Sequence, residues 1–113
     1  MKVRDLVRAL DLKVRTTECS LDGEVTGAYC SDMLSDVIGH ASEGQVWLTI
    51  QTHQNVAAVA SLLNLSAVVV TAGKEPSAEL LAKAQREGTP ILTTDRTTFE
   101  AAGRLYALLS RDG

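Results

Sequence analysis

Val46-Trp-Leu-Thr49, Val68-Val-Val-Thr71 and Pro90-Ile-Leu-Thr93 are three short apolar runs, each closed by a threonine and followed by a polar or glycine-containing turn and a segment with helical spacing. The closing threonines are 22 residues apart in both intervals (71 − 49 and 93 − 71). One strand, one helix and two short loops fill such an interval, so the second half of the chain reads as consecutive βα units around a parallel sheet. Ligands of such sheets gather outside the carboxyl ends of the strands, which directs attention to the polar tails behind the three threonines.

The intervening segments carry their own signs. Val56, Val59, Ala60 and Leu63 mark one helical face that ends at Asn64. Pro76 and Ser77 open a helix bearing Leu80, Leu81 and Ala84, with Gly88 as its stop. Thr97 and Glu100 have capping-box spacing ahead of the apolar Phe99, Ala102, Tyr106 and Leu109, and Gly103 predicts either a close approach to the sheet or a tolerated glycine. Further upstream, Ser31 predicts the cap of a helix with Leu34, Val37, Ile38 and Ala41, ended by Gly44. Leu12–Cys19 and Val25–Cys30 are strand-like, with the turn-rich Ser20-Leu-Asp-Gly23 between them. Val3, Leu6, Val7 and Leu10 predict a short amphipathic helix over residues 3–10.

A chain of 113 residues without a linker or low-complexity tract predicts one domain, 1–113, with its own core. A net charge of −3 and a pI near 5.3 supply no general attraction to nucleic acid or anionic membrane, and an aromatic content of 4% disfavours a base-stacking platform. No apolar run reaches bilayer length and no export signal opens the chain, so the expected compartment is the cytoplasm. There Cys19 and Cys30 are expected to be reduced.

The three tails converge if the sheet is parallel. They offer Thr49, Gln51, His53 and Asn55 from the first, Thr71, Gly73 and Lys74 from the second, and Thr94 and Asp95 from the third. Free backbone N–H groups at the helix starts behind them suit a carboxylate or phosphate. The alternative is that these residues only cap helices. No metal site is expected, because Cys19, Cys30, His40 and His53 lack ligand spacing. No cofactor or catalytic residue is expected either, since the glycine patterns of phosphate-binding and dinucleotide-binding loops and the G-x-S-x-G elbow are absent. Asp32 and Asp36, at i and i+4, read as a solvated helix face rather than an acid–base pair.

Four stretches together resemble the DRTGG-domain family: Val25-Thr-Gly-Ala-Tyr-Cys-Ser-Asp-Met-Leu-Ser-Asp36, Gly44-Gln-Val-Trp-Leu-Thr-Ile-Gln-Thr-His-Gln-Asn55, Val70-Thr-Ala-Gly-Lys-Glu-Pro76 and Thr93-Thr-Asp-Arg-Thr-Thr-Phe-Glu100. Where the family has Asp-Arg after one strand and Thr-Gly-Gly after the next, this sequence has Gln51-Thr52-His53 and Thr71-Ala72-Gly73; Asp95-Arg96 belongs to a later tail. The resemblance implies a three-layer α/β/α domain with a mostly parallel central sheet, similar to the non-catalytic N-terminal domain of HPr kinase/phosphorylase. It implies a regulatory or ligand-sensing module, forming a homodimer and binding a small anionic ligand such as a nucleotide or phosphorylated metabolite. In a stand-alone branch of the family it implies a redox-enzyme partner such as a hydrogenase. Two other readings stand beside it: an interaction adaptor without a small-molecule pocket, and a small enzyme with His53 as general base oriented by Asp95.

Overall fold

A computed structural model describes residues 1–112. Its elements are α1 (Val3–Leu10), β1 (Lys13–Val14), β2 (Gly27–Cys30), α2 (Leu34–His40), β3 (Gln45–Thr49), α3 (Asn55–Leu63), β4 (Ala67–Val70), α4 (Ala78–Glu87), β5 (Ile91–Thr93) and α5 (Thr98–Asp112). The strands form one sheet in the order β1-β5-β4-β3-β2. The β2–β3, β3–β4 and β4–β5 pairs are parallel and only the short β1 is antiparallel. Register sets Thr49 opposite Val70 and Val70 opposite Thr93, so the three strands leave the sheet at the same edge, with Thr71 one residue beyond the level of Thr49 and Thr93.

Both faces of the sheet are covered, which is why the strands are apolar along their whole length rather than alternating. Val46, Leu48, Val69 and Leu92 point into a core shared with Leu6 and Leu10 of α1 and Ala101 and Leu105 of α5. Trp47, Val68, Val70 and Ile91 point the other way, against Val37 of α2, Val56 and Ala60 of α3, and Leu80 and Ala84 of α4. The result is a three-layer α/β/α domain. Trp47 is fully buried and its indole N–H donates to Ser31 O at 2.8 Å, tying β3 to the end of β2.

Local chemistry fixes the helix ends. Ser77 accepts the Leu80 amide at its side chain, and Gly88 closes α4 with φ of 75°. Asn64 closes α3 in the left-handed region. Thr97 accepts the Glu100 amide at 3.2 Å, and its hydroxyl also donates to the Glu100 carboxylate at 3.1 Å, so the C-terminal helix starts where its capping pair predicts.

Several expectations are corrected. The strand expected over Leu12–Cys19 is reduced to Lys13–Val14, because the buried Thr16 hydroxyl takes the Ile91 amide at 3.0 Å in place of a ladder carbonyl and Cys19 lies in the following turn. The strand expected from Val25 begins at Gly27, since Val25 donates to Met1 O at 2.8 Å. Ser31 does not cap α2: it accepts the Met33 amide in the preceding turn, and Met33 is the cap residue. That helix ends at His40 with Ala41 as its cap, and Gly44, with φ of 84°, instead makes the turn into β3. Asp32 precedes α2 rather than sharing a face with Asp36. Finally, α5 buries Ala101 and Leu105, while Phe99 and Tyr106 are 87% and 76% exposed; its sheet-facing side is rotated from the one the large apolar residues mark. At Gly103 an added Cβ would meet nothing within 4 Å, so no close approach within this chain requires it.

Candidate functional site

The nine sequence-derived candidates all lie at the carboxyl-terminal edge of β3, β4 and β5, but they divide into two groups with different work to do. Thr49 and Thr71 are completely buried. Thr49 donates its hydroxyl to Asp32 Oδ1 at 2.9 Å and accepts the Gln51 amide at 3.1 Å. Thr71 shares a 2.5 Å hydroxyl contact with Thr98, which joins the β4 tail to the first turn of α5. The Thr94 hydroxyl, also buried, accepts the Arg96 amide at 3.2 Å. These three side chains hold the rim together and cap no helix: Gln54, Ser77 and Thr97 stand at the helix starts instead.

Gln51 belongs with them in part, since its side-chain amide donates to Asp32 O at 2.8 Å. Asp32 therefore organises the whole β2–β3 corner, accepting the Ile50 amide at 2.9 Å as well. Neither its sequence position nor its spacing to Asp36 announces this role, because the partners are 17 to 19 residues away. His53 is exposed and accepts the Asn55 amide at Nδ1, 3.1 Å away. Among the described residues no hydrogen bond joins His53 to Asp95; β4 separates their strands, which places the two tails about 10 Å apart across the sheet.

The exposed candidates Gly73, Lys74 and Asp95 do meet. The Gly73 amide donates to Thr94 O at 3.0 Å and the preceding Ala72 amide to Arg96 O at 2.7 Å, a pair of bonds that locks the β4 tail onto the β5 tail. Ala72 and Gly73 both have positive φ, at 60° and 67°, and a Cβ on Gly73 would stand 3.4 Å from Asp95 Oδ1. This tight double turn presents Lys74 beside Asp95.

Two adjoining clefts open there. One, of about 360 Å³, is lined by Asp11, Lys13, Thr93, Thr94, Asp95 and Arg96. The other, of about 210 Å³, adds Arg15, Gly73, Lys74 and Glu75 and shares Lys13, Thr93, Thr94 and Asp95 with the first. Lys13 and Arg15 reach this edge because β1 runs antiparallel to β5, with Lys13 opposite Thr93. A reading confined to strand tails has no means of finding them, since they precede their strand partners by about eighty residues. Arg15 is committed to Glu75, and the Arg96 guanidinium donates to Leu10 O at 2.8 Å. Lys13 and Lys74 form no ion pair among the described residues, so the clefts have two available ammonium groups in a lining that also holds Asp11 and Asp95. Among the described residues no group of three or more His, Cys, Asp or Glu side chains is placed to hold a metal ion, and no helix is long and apolar enough to cross a membrane.

The family model of the DRTGG domain matches residues 5–108. Among solved structures, the CBS and DRTGG domains of the regulatory region of Clostridium perfringens pyrophosphatase, complexed with the activator diadenosine tetraphosphate, align with a TM-score of 0.72 at 21% identity, covering 91% of this chain. This chain spans 44% of that one, and at such identity the likeness establishes the shared fold. No curated protein matches the chain.

Proposed function

The chain belongs to the DRTGG-domain family, and from that membership we propose that it is a non-catalytic regulatory or ligand-sensing module, dimeric, which takes a small phosphorylated anion at the tails of β4 and β5. The observation that carries the ligand reading is the cleft that Lys13 and Lys74, 61 residues apart in the chain, line together with Gly73, Thr94 and Asp95. Two unpaired ammonium groups favour an anion, and Asp95 disfavours one that offers no hydrogen-bond donor, so a nucleotide with a ribose or base to meet the carboxylate fits better than inorganic phosphate. His53 and Asn55 stand at the neighbouring β3 tail, outside the lining of the cleft. The regulatory pyrophosphatase region, of which this chain spans 44%, carries CBS and DRTGG domains and is complexed with a dinucleoside polyphosphate activator, which supports a role in nucleotide-linked regulation. Binding at this rim regulates only by favouring one arrangement of the module over another.

Thermal melts with pyrophosphate, AMP, ATP and diadenosine tetraphosphate test the reading. A nucleotide at 100 times its Kd raises apparent stability by about 2.7 kcal/mol, and Lys74→Ala and Lys13→Ala abolish the rise while the added nucleotide stays chemically intact. No shift with any of the four, or one insensitive to both lysines, removes the site. The second reading, an adaptor for a redox enzyme such as a hydrogenase, is favoured by the exposed apolar side of α5; co-purification with such an enzyme and silence toward all four anions would select it.

A further inference from the structure

The two edges of the sheet are built differently. The β1 edge carries Lys13 and is followed by Arg15, charges of the kind that keep an open strand from pairing. The β2 edge, Gly27-Ala-Tyr-Cys30, has no charge and no proline. Ser31 donates its amide to Leu48 O on β3, and alternation along a strand then turns the N–H and C=O of Cys30 and Ala28 outward, away from the sheet.

Beside this open edge lies a groove of about 440 Å³, with Ala28 and Cys30 on one wall and Ala102, Tyr106 and Leu109 of α5 on the other. Helical geometry places Phe99, Gly103 and Ser110 on the same side of α5 and puts Glu100, Arg104 and Arg111 round toward α1, so the groove side is uncharged from end to end. Gly103 is an independent sign. A glycine inside a helix costs about 1 kcal/mol relative to alanine, and nothing in this chain's own packing requires it.

We propose that this face binds a second copy of the chain, with β2 pairing antiparallel to β2 of the second copy about a two-fold axis at Tyr29, and the two α5 helices meeting across the seam. A two-fold interface demands a patch that complements itself. Ala28 and Cys30 do so when reversed: each supplies an outward donor and acceptor, and Ala28 opposite Cys30 of the second copy, twice, closes four ladder hydrogen bonds. A foreign strand would fill the ladder yet leave Phe99 and Tyr106 in water. A second copy brings its own α5 to cover them, and Gly103 permits the close approach. Two Phe99 and two Tyr106 side chains remove on the order of 600 Å², and the ladder and groove walls carry the total toward the roughly 1,000 Å² that a specific interface needs. This deepens the dimeric part of the proposed function and is independent of its ligand part.

Sedimentation velocity from low to high micromolar concentration tests it. The chain forms a dimer, and Tyr106→Glu, at a side chain exposed in the single copy, weakens dimerisation by at least about tenfold while the buried Trp47 emission and the nucleotide-induced thermal shift stay as in the parent. In a Cys19→Ser background, Ala28→Cys oxidises to a covalent dimer, because a hydrogen-bonded antiparallel pair holds Cα atoms about 5.5 Å apart, within disulfide reach. A chain that is monomeric throughout overturns both the interface and the dimeric reading. A dimer indifferent to Tyr106→Glu and resistant to cross-linking overturns this interface and leaves the dimer to another face. Loss of the thermal shift alone touches only the ligand reading.

Discussion

Arg15 holds Glu75 with both terminal nitrogens, at 2.8 and 2.5 Å, across a sequence separation of 60 residues. The pair ties the end of the antiparallel β1 to the loop after β4 and forms the outer wall of the lysine-lined cleft. A planar guanidinium meeting a carboxylate at two points fixes direction as well as distance, so the pair orients the loop that carries Gly73 and Lys74.

The same pair predicts a pH dependence. The Arg15 hydrogen bonds, with the charges of Arg15 and Lys13, hold the Glu75 carboxyl below the ordinary glutamate range. A depressed folded pKa contributes stability that is present above the unfolded value and is lost as pH falls through the folded one. Arg15→Ala therefore lowers Tm slightly at neutral pH, and the difference from the parent closes in acid. Because Glu75 is largely exposed, added salt shrinks the difference as well. Melts over a pH series at two ionic strengths check both trends; a gap that widens in acid contradicts the assignment.

Asp32 predicts a larger loss than an exposed acid normally gives. Its removal strips the buried Thr49 hydroxyl and the Ile50 amide of their shared acceptor, and a stranded buried polar group costs about 1–3 kcal/mol. Urea unfolding of Asp32→Ala should show a loss in that range, with Asp32→Asn recovering part of it through the remaining side-chain carbonyl. Asp36→Ala, which gives up a hydrogen bond from the Tyr29 hydroxyl at a partly exposed site, should lose less.

Trp47 is the sole tryptophan and is fully buried. Native emission should be blue-shifted and resistant to iodide quenching, and red-shifted on unfolding. Trp47→Phe loses the bond to Ser31 O and some volume, while Trp47→Ala opens a cavity under three helices and costs about 3–5 kcal/mol. Denaturant titrations followed by circular dichroism measure both variants.

Gly88 and Gly103 should respond to alanine with opposite signs. Gly88 has φ of 75°, and a side chain in that region costs about 1–2 kcal/mol. Gly103 sits in helical backbone with open space around it, so Gly103→Ala in dilute monomer gains up to about 1 kcal/mol. Chemical denaturation at low protein concentration distinguishes them, and an equal loss at both would contradict the open space at position 103.

How much of this was legible before the fold was known depends on the range of the forces involved. The 22-residue interval of Thr49, Thr71 and Thr93 reveals the parallel sheet because a βα unit has a nearly fixed length, and Ser77, Gly88, Asn64 and the Thr97–Glu100 pair reveal helix ends because capping acts within four residues. Apolar content alone misleads at α5. Phe99 and Tyr106 look like core, yet the rotation of a helix against a sheet is set by the whole contact surface, and the smaller Ala101 and Leu105 fit beneath it.

The sequence by itself determined the order of βα units, the edge at which polar tails collect and the stops of α3 and α4, since each is encoded within one element by periodicity or capping. Only the tertiary structure decided that Thr49 and Thr71 are buried supports, that Asp32 organises a corner, and that Lys13 joins Lys74 and Asp95 in one cleft. Those outcomes depend on contacts between residues distant along the chain, whose meeting is fixed by strand order and by β1 running against its neighbour, and neither leaves a local pattern to read.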